Sequence, residues 1–146
     1  SHFAPDSLFE AVATYRRDFQ PSAQLDEPYL MVAANVIASA DAADATQQFE
    51  HMRRSRVRMM LTRGPATPEY SDAQIDAFLT TPDGARLADM MRYTAVGTPG
   101  DVRAYLDEFA SVTQADELIV AHASEGIDAR LRSVELTAGA MIGALA

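Results

Sequence analysis

The residues of this chain whose chemistry could matter are three histidines, two adjacent acids, a run of arginines and one glycine-rich turn. His2, His51 and His122 are too scattered for a metal motif, and Glu50-His51 has no partner at ligand spacing, so no metal site is expected. His122 follows the apolar run Glu117-Leu-Ile-Val-Ala121, which puts it at the carboxyl end of a predicted strand, where α/β folds meet their ligands. It is the substrate-side candidate, set against the plainer reading of a solvent-facing loop histidine. Asp116 and Glu117 are neighbours, but side chains alternate across a strand and cannot both address one substrate. Arg53, Arg54, Arg56 and Arg58 spread over more than one helix face, with Arg54 and Arg58 one turn apart, and read first as a solvated or ion-paired surface. The turn Gly97-Thr98-Pro99-Gly100 could cradle a phosphate at a helix start, but a lone capped turn is weak evidence. No GxGxxG, GxxxxGKS/T or GxSxG pattern accompanies it, and the catalytic residues stay unassigned.

The elements that must position these residues are clearest between Tyr93 and His122. Tyr93-Thr-Ala-Val-Gly97 is a short β-prone run. Thr98 then caps a helix with Pro99 in its first turn and Asp101 three residues on. The strand from Glu117 to Ala121 is apolar on both faces. Strands buried on both faces and joined by a crossover helix belong to parallel α/β sheets. Upstream, Asp6 or Ser7 opens a helix with Leu8, Phe9, Val12, Tyr15 and Phe19 at helical spacing, stopping near Gln20-Pro21. After Pro28, the run from Tyr29 to Ile37 reads as another buried parallel strand. A long helix over Ala42 to Leu61 follows, broken by Gly64-Pro65 and Pro68.

Two shorter helices are expected between Ser71 and Arg92, the first capped by Ser71 and the second with Pro82 in its first turn. In a barrel, the segment 62–92 would be a helical insertion on the ligand side of a strand. The last helix, from about Glu125 to Leu145, carries Ile127, Leu131, Val134, Ala138, Met141 and Leu145 at spacings of four and three. Its second half, LTAGAMIGALA, is apolar all round, so this helix is expected to pack against a further surface. Three strands cannot close a barrel, which needs about eight. The chain therefore reads as the rear part of something larger.

Composition bounds the partners. The 146 residues suit one domain, 1–146, and a net charge of −9 argues against nucleic acid or an anionic membrane as partner. With no cysteine there are no disulfides or thiolate metal sites. No apolar run is long enough to span a bilayer and SHFAPDSLFE is unlike a signal peptide, which makes a soluble cytoplasmic protein the default expectation.

Several segments, taken in order, carry a resemblance. They are Ser1-His-Phe-Ala-Pro5, Tyr15-Arg16 with Phe19-Gln-Pro21-Ser22, and Pro28-Tyr29-Leu-Met-Val32. Val96-Gly-Thr-Pro99 with Asp101-Val102, Ala115-Asp-Glu-Leu-Ile-Val120 and Arg130-Leu-Arg-Ser-Val-Glu-Leu136 complete the set. Together they resemble the carboxyl half of the bacterial luciferase-like flavin monooxygenases. The resemblance implies a partial (β/α)8 TIM barrel that begins at the end of the fifth strand and holds strands six to eight. It also implies reduced FMN and oxygen as co-reactants, an organic substrate, and dimers. By resemblance, Ser1 and His2 stand where the family contacts flavin, often at its phosphate. A hydroxyl and an imidazole before a helix amino terminus are chemically suited to an anion.

The early barrel strands are missing from the match, so this segment alone is expected to be inactive. Two other readings stand beside it. One is a non-catalytic half-barrel that assembles with itself, or with a missing amino-terminal half, to cover its open edges. The other is a small ligand-binding α/β module with the segment from Thr62 to Arg92 as a lid.

Overall fold

Apolar density decides which strand lies in the middle. The run MVAANVIA forms β1 (Met31–Ala38), whose single polar residue is Asn35. It pairs in parallel with β2 (Thr94–Gly97) on one side and β3 (Glu117–His122) on the other, giving the order β2-β1-β3. β3 follows β1 from Met31 to Val36, and β2 follows it only from Asn35 to Ala38. The computed structural model describes residues 7–62 and 69–143, and Ser1 and His2 lie outside them. The expected parallel α/β architecture forms, as an open three-stranded sheet with flanking helices, an incomplete barrel-like unit. A barrel wound strictly in sequence would put the second strand in the middle. Here the first occupies that place.

The described residues form six helices, α1 (Leu8–Asp18), α2 (Ala42–Leu61), α3 (Asp72–Leu79), α4 (Pro82–Asp89), α5 (Pro99–Thr113) and α6 (Ile127–Ile142), of which α3 and α4 pack on α2. Most start on a side-chain cap, because the first backbone N–H groups of a helix have no partner of their own. Asp41 caps α2, Ser71 and Gln74 close a capping box on α3, and Thr81 caps α4 with Pro82 behind it. α3 is tied back to α2 by a ladder of opposite charge, Arg54 to Asp76 at 2.8 Å and Arg58 to Asp72 at 2.6 Å. Each helix offers residues four apart, so the two pairs form at one crossing. Ile75 is fully buried beneath them.

The pleat of β1 sorts its side chains between two cores. Val32, Ala34, Val36 and Ala38 join Leu8 and Val12 of α1 and Val102, Leu106 and Phe109 of α5 in the larger one. Ile37 packs on the opposite face with Ala45 and Met52 of α2 and with Met91. That second face is covered only toward the carboxyl end of β1. Met31 is 54% exposed and Ile119, on the neighbouring strand, 51%.

One expectation is corrected here. β3 is not buried on both faces: Glu117, Ile119 and Ala121 alternate outward, since no described helix covers that side of this edge strand. In α6 the apolar stripe divides, with Met141 packed on the larger core and most of the rest turned outward. Ser133 and Thr137 are the buried positions, while Ile127, Leu131, Val134 and Ile142 are exposed. Ser133 explains the rotation, because its Oγ accepts the Ala38 N–H at 2.9 Å, a bond only a small polar residue at the sheet surface could make.

Candidate functional site

A cleft of about 460 Å³ opens at the carboxyl end of the sheet, between α2, β3 and the start of α6. Its α2 wall is one helical face, Met52, Ser55, Arg56 and Met59, at spacings of three and four. Asn35 of β1 and Ala121 of β3, cross-strand partners, also line it. Asn35 is only 8% exposed, makes no side-chain hydrogen bond among the described residues, and its amide opens on the cleft.

The far wall is the turn from Ala123 to Gly126 and the start of α6. Ser124 is fully buried with an unpartnered hydroxyl, while its carbonyl accepts from Arg130 at 3.4 Å. Gly126 takes φ +76° and ψ 159° at the cap position, a region that favours glycine, and supplies no side chain to bond the first turn of α6. Those amide groups therefore lack a side-chain cap beside the cleft. The Gly97-Thr98 turn is the opposite case. Asp101 accepts from both the Thr98 N–H at 2.9 Å and its hydroxyl at 2.6 Å, and these bonds hold its carboxyl below the usual range. That turn spends its donors on its own helix. Gly97 is needed there because at φ +147° an added Cβ would stand 2.7 Å from the Asp101 Cβ.

His122 is the last residue of β3 and partly buried, not a loop residue in solvent. Its Nδ1 lies 2.7 Å from Ser133 Oγ. That hydroxyl also accepts the Ala38 N–H, and with its own proton and a second lone pair it can serve either neutral tautomer of the ring. Burial lowers the His122 pKa from its ordinary value, which favours the neutral form. Sequence reasoning found His122 but not Ser133, eleven residues on. Neither did it single out Asn35, although one amide inside eight otherwise apolar residues was a visible signal.

The other sequence candidates separate. His51 pairs with Glu125 at 2.5 Å at the edge of the cleft, and among the described residues no group of three metal-ligating side chains comes together. Asp116 accepts the Leu30 N–H at 2.7 Å, and Glu117 accepts the Tyr29 hydroxyl at 3.1 Å, so the adjacent acids hold the amino end of the sheet. Of the four clustered arginines, Arg53 pairs with Glu50, and Arg54 and Arg58 pair with α3. Arg56 alone has neither an ion pair nor a hydrogen bond among the described residues, and it is the one that lines the cleft. No described helix is long and apolar enough to cross a membrane.

An open parallel α/β sheet with a cleft at the carboxyl ends of its strands is the architecture of an incomplete barrel. No family model matches the chain. Among curated proteins, it is 35% identical over 137 residues to a luciferase-like monooxygenase of Escherichia coli (strain K12), covering 93% of this chain and 40% of that protein. It is 33% identical over 141 residues to the uncharacterized protein YvbT of Bacillus subtilis (strain 168), covering 94% and 41%. The crystal structure of apo-MsnO8 superposes with a TM-score of 0.72 at 29% identity, covering 95% of this chain and 42% of that one. At family level the chain thus matches the luciferase-like monooxygenase fold, and it spans about 40% of the length of the curated relatives.

Proposed function

We propose that this chain is the carboxyl-terminal barrel portion of a luciferase-like, FMN-dependent monooxygenase that oxidises a small organic substrate with O2. The observation that supports the reading best is the extent of the likeness: the match to a luciferase-like monooxygenase covers 93% of the chain. The cleft suits the group. Asn35 offers an amide open to the cleft, Met52 and Met59 offer apolar surface, and Arg56 offers a charge with no ion pair among the described residues. Bound reduced flavin supplies the oxygen chemistry, and the protein's part is to bind, orient and exclude water. His122, held by Ser133, is the substrate-side residue, and Ser1 and His2 are the further flavin contacts by resemblance. The segment 62–92 is the helical insertion of that barrel, and the protein works in the cytoplasm.

The partner in this reading is the rest of the barrel, meeting the uncovered face around Met31 and Ile119. A second reading, assembly of identical copies without catalysis, is favoured by the outward stripe of α6, where Ile127 and Ile142 are each 65% exposed. Intact mass with size-exclusion light scattering, with and without FMN, separates the two. Copurification of an amino-terminal barrel segment, or a flavin-dependent change in the sample, is the expected result. A colourless homo-oligomer of this chain that is indifferent to FMN would overturn the first reading and support the second.

A further inference from the structure

Two hollows meet at one ion pair. The cleft of about 460 Å³ is flanked by a second hollow of about 350 Å³, lined by Gln47, Gln48, His51, Glu125 and Ala129. His51 and Glu125 line both, and their contact at 2.5 Å ties α2 to the turn between β3 and α6. That turn is anchored at its ends and little held between them. The Ala123 N–H bonds the Val36 carbonyl at 3.0 Å, and the Arg130 N–H reaches the Gly126 carbonyl at 3.3 Å. Between these anchors the Ser124 hydroxyl is buried without a partner, and the Ser124 carbonyl takes a long bond from the Arg130 guanidinium, 3.4 Å. Gly126 has φ +76°, and a side chain built on it would meet nothing within 4 Å, so the turn has both a glycine pivot and room to move.

We propose that the turn from Ser124 to Gly126 is a proton-controlled gate between the cleft and the side hollow, latched by His51 and Glu125. With the imidazole protonated the contact is charge-assisted and the gate is shut. As the pH rises and the ring loses its proton, the charge attraction goes and the turn swings on Gly126. Opening joins the two hollows into one longer channel. The surrounding charges leave this contact to act alone. Glu125 is the one carboxylate lining either hollow, and the other ionisable groups there, Arg56, His122 and Arg130, lie on the cleft side. On α2, Glu50 is engaged by Arg53 and Arg54 by Asp76, while Asp128 in the first turn of α6 lines neither hollow. The gate follows from the walls of the cleft and does not depend on the flavin reading.

The chain has no cysteine, so Ser124→Cys supplies a single thiol at a fully buried position within the gate. Its reaction with an aromatic disulfide reagent, corrected for the thiolate fraction, should quicken about two- to fivefold between about pH 5 and pH 8, the scale of an exposed ion pair. Adding His51→Gln should give the fast rate at both ends of that range. Adding His51→Lys, which stays charged throughout, should give the slow rate at both. A corrected rate that does not change with pH, or one that His51→Gln leaves unaltered, overturns the proposal and leaves the monooxygenase reading untouched. Where Ser124→Cys disturbs the fold, the Gly126 amide of the native chain reports instead. Its NMR signal should titrate with the His51 ring and cease to do so in Glu125→Gln, and a Gly126 signal indifferent to His51 overturns the proposal equally.

Discussion

Two helices lie side by side on the same face of the sheet, each following a strand, and they are built on opposite plans. α5 buries Val102, Leu106 and Phe109 in the main core and closes its own start with Thr98 and Asp101. α6 buries Ser133 and Thr137, shows Ile127 and Leu131 to solvent, and leaves its start without a side-chain cap. The contrast separates two uses of a helix. α5 contributes stability through apolar area and spends its polar groups on itself. α6 spends one buried position, Ser133, on hydrogen bonds that fix His122 and the end of β1, buries the Thr137 hydroxyl without a partner, and keeps its amino terminus available beside a cleft.

The comparison can be broken most forcefully at Leu106, which is 2% exposed. Leu106→Ala should cost about 2–5 kcal/mol in chemical denaturation, the range for emptying a leucine site in a core. Ser133→Ala comes next, at about 1–3 kcal/mol, because the buried Ala38 N–H loses its acceptor. The same variant should release His122 from one orientation, seen as a change in its ring NMR signals, whereas a purely space-filling serine would leave them in place. Thr98→Ala should cost about 1 kcal/mol through the lost cap of α5. A thermal shift near zero would show that this helix start is not held by its capping box.

The pH dependence sharpens the α6 side. His122 has a folded pKa below the ordinary 6.5 because burial disfavours its charged form. The unfolded chain therefore takes up the proton first. Stability that depends on the neutral ring is complete above that ordinary value and is lost as the pH falls through 6.5 toward the folded pKa. Denaturation midpoints measured across this range should fall on acidification for the native chain and fall less for His122→Gln. Equal slopes would remove His122 from the account. Smallest of all, Leu131→Ser should change the stability by no more than about 0.5 kcal/mol, since the side chain is 54% exposed. A loss on the scale of Leu106→Ala, or a change in oligomeric state, would mean that the α6 stripe is covered in the working assembly.

Local signals carried much of the architecture. The breakers and caps around Asp41, Ser71, Pro82 and Thr98 placed four helix starts, because capping is settled by the three or four residues at the helix end itself. The length of the apolar run from Tyr29 marked the strand that became the middle of the sheet. Periodicity left α6 undecided, since Ile127, Leu131 and Val134 of its apolar stripe face outward while Met141 packs on the core. A hydrophobic pattern says that a face seeks cover and not which surface provides it. The cleft was visible only in fragments: His122 as a strand end, Arg56 as one of four arginines, and Asn35 not at all.

The sequence by itself determined the kinds of element, where most of them begin, the absence of cysteine chemistry and the likeness to luciferase-like monooxygenases. Tertiary structure alone decided the strand order, the inward turn of Ser133 and which of the clustered arginines, Arg56, has no partner among the described residues. The reason is one of range. Caps, turns and strand propensity are satisfied within a few residues, whereas each of these outcomes depends on groups far apart in the chain. Ser133 meets Ala38 across 95 positions and Arg54 meets Asp76 across 22. Which arginine remains unpaired is settled only once every such distant pair has formed.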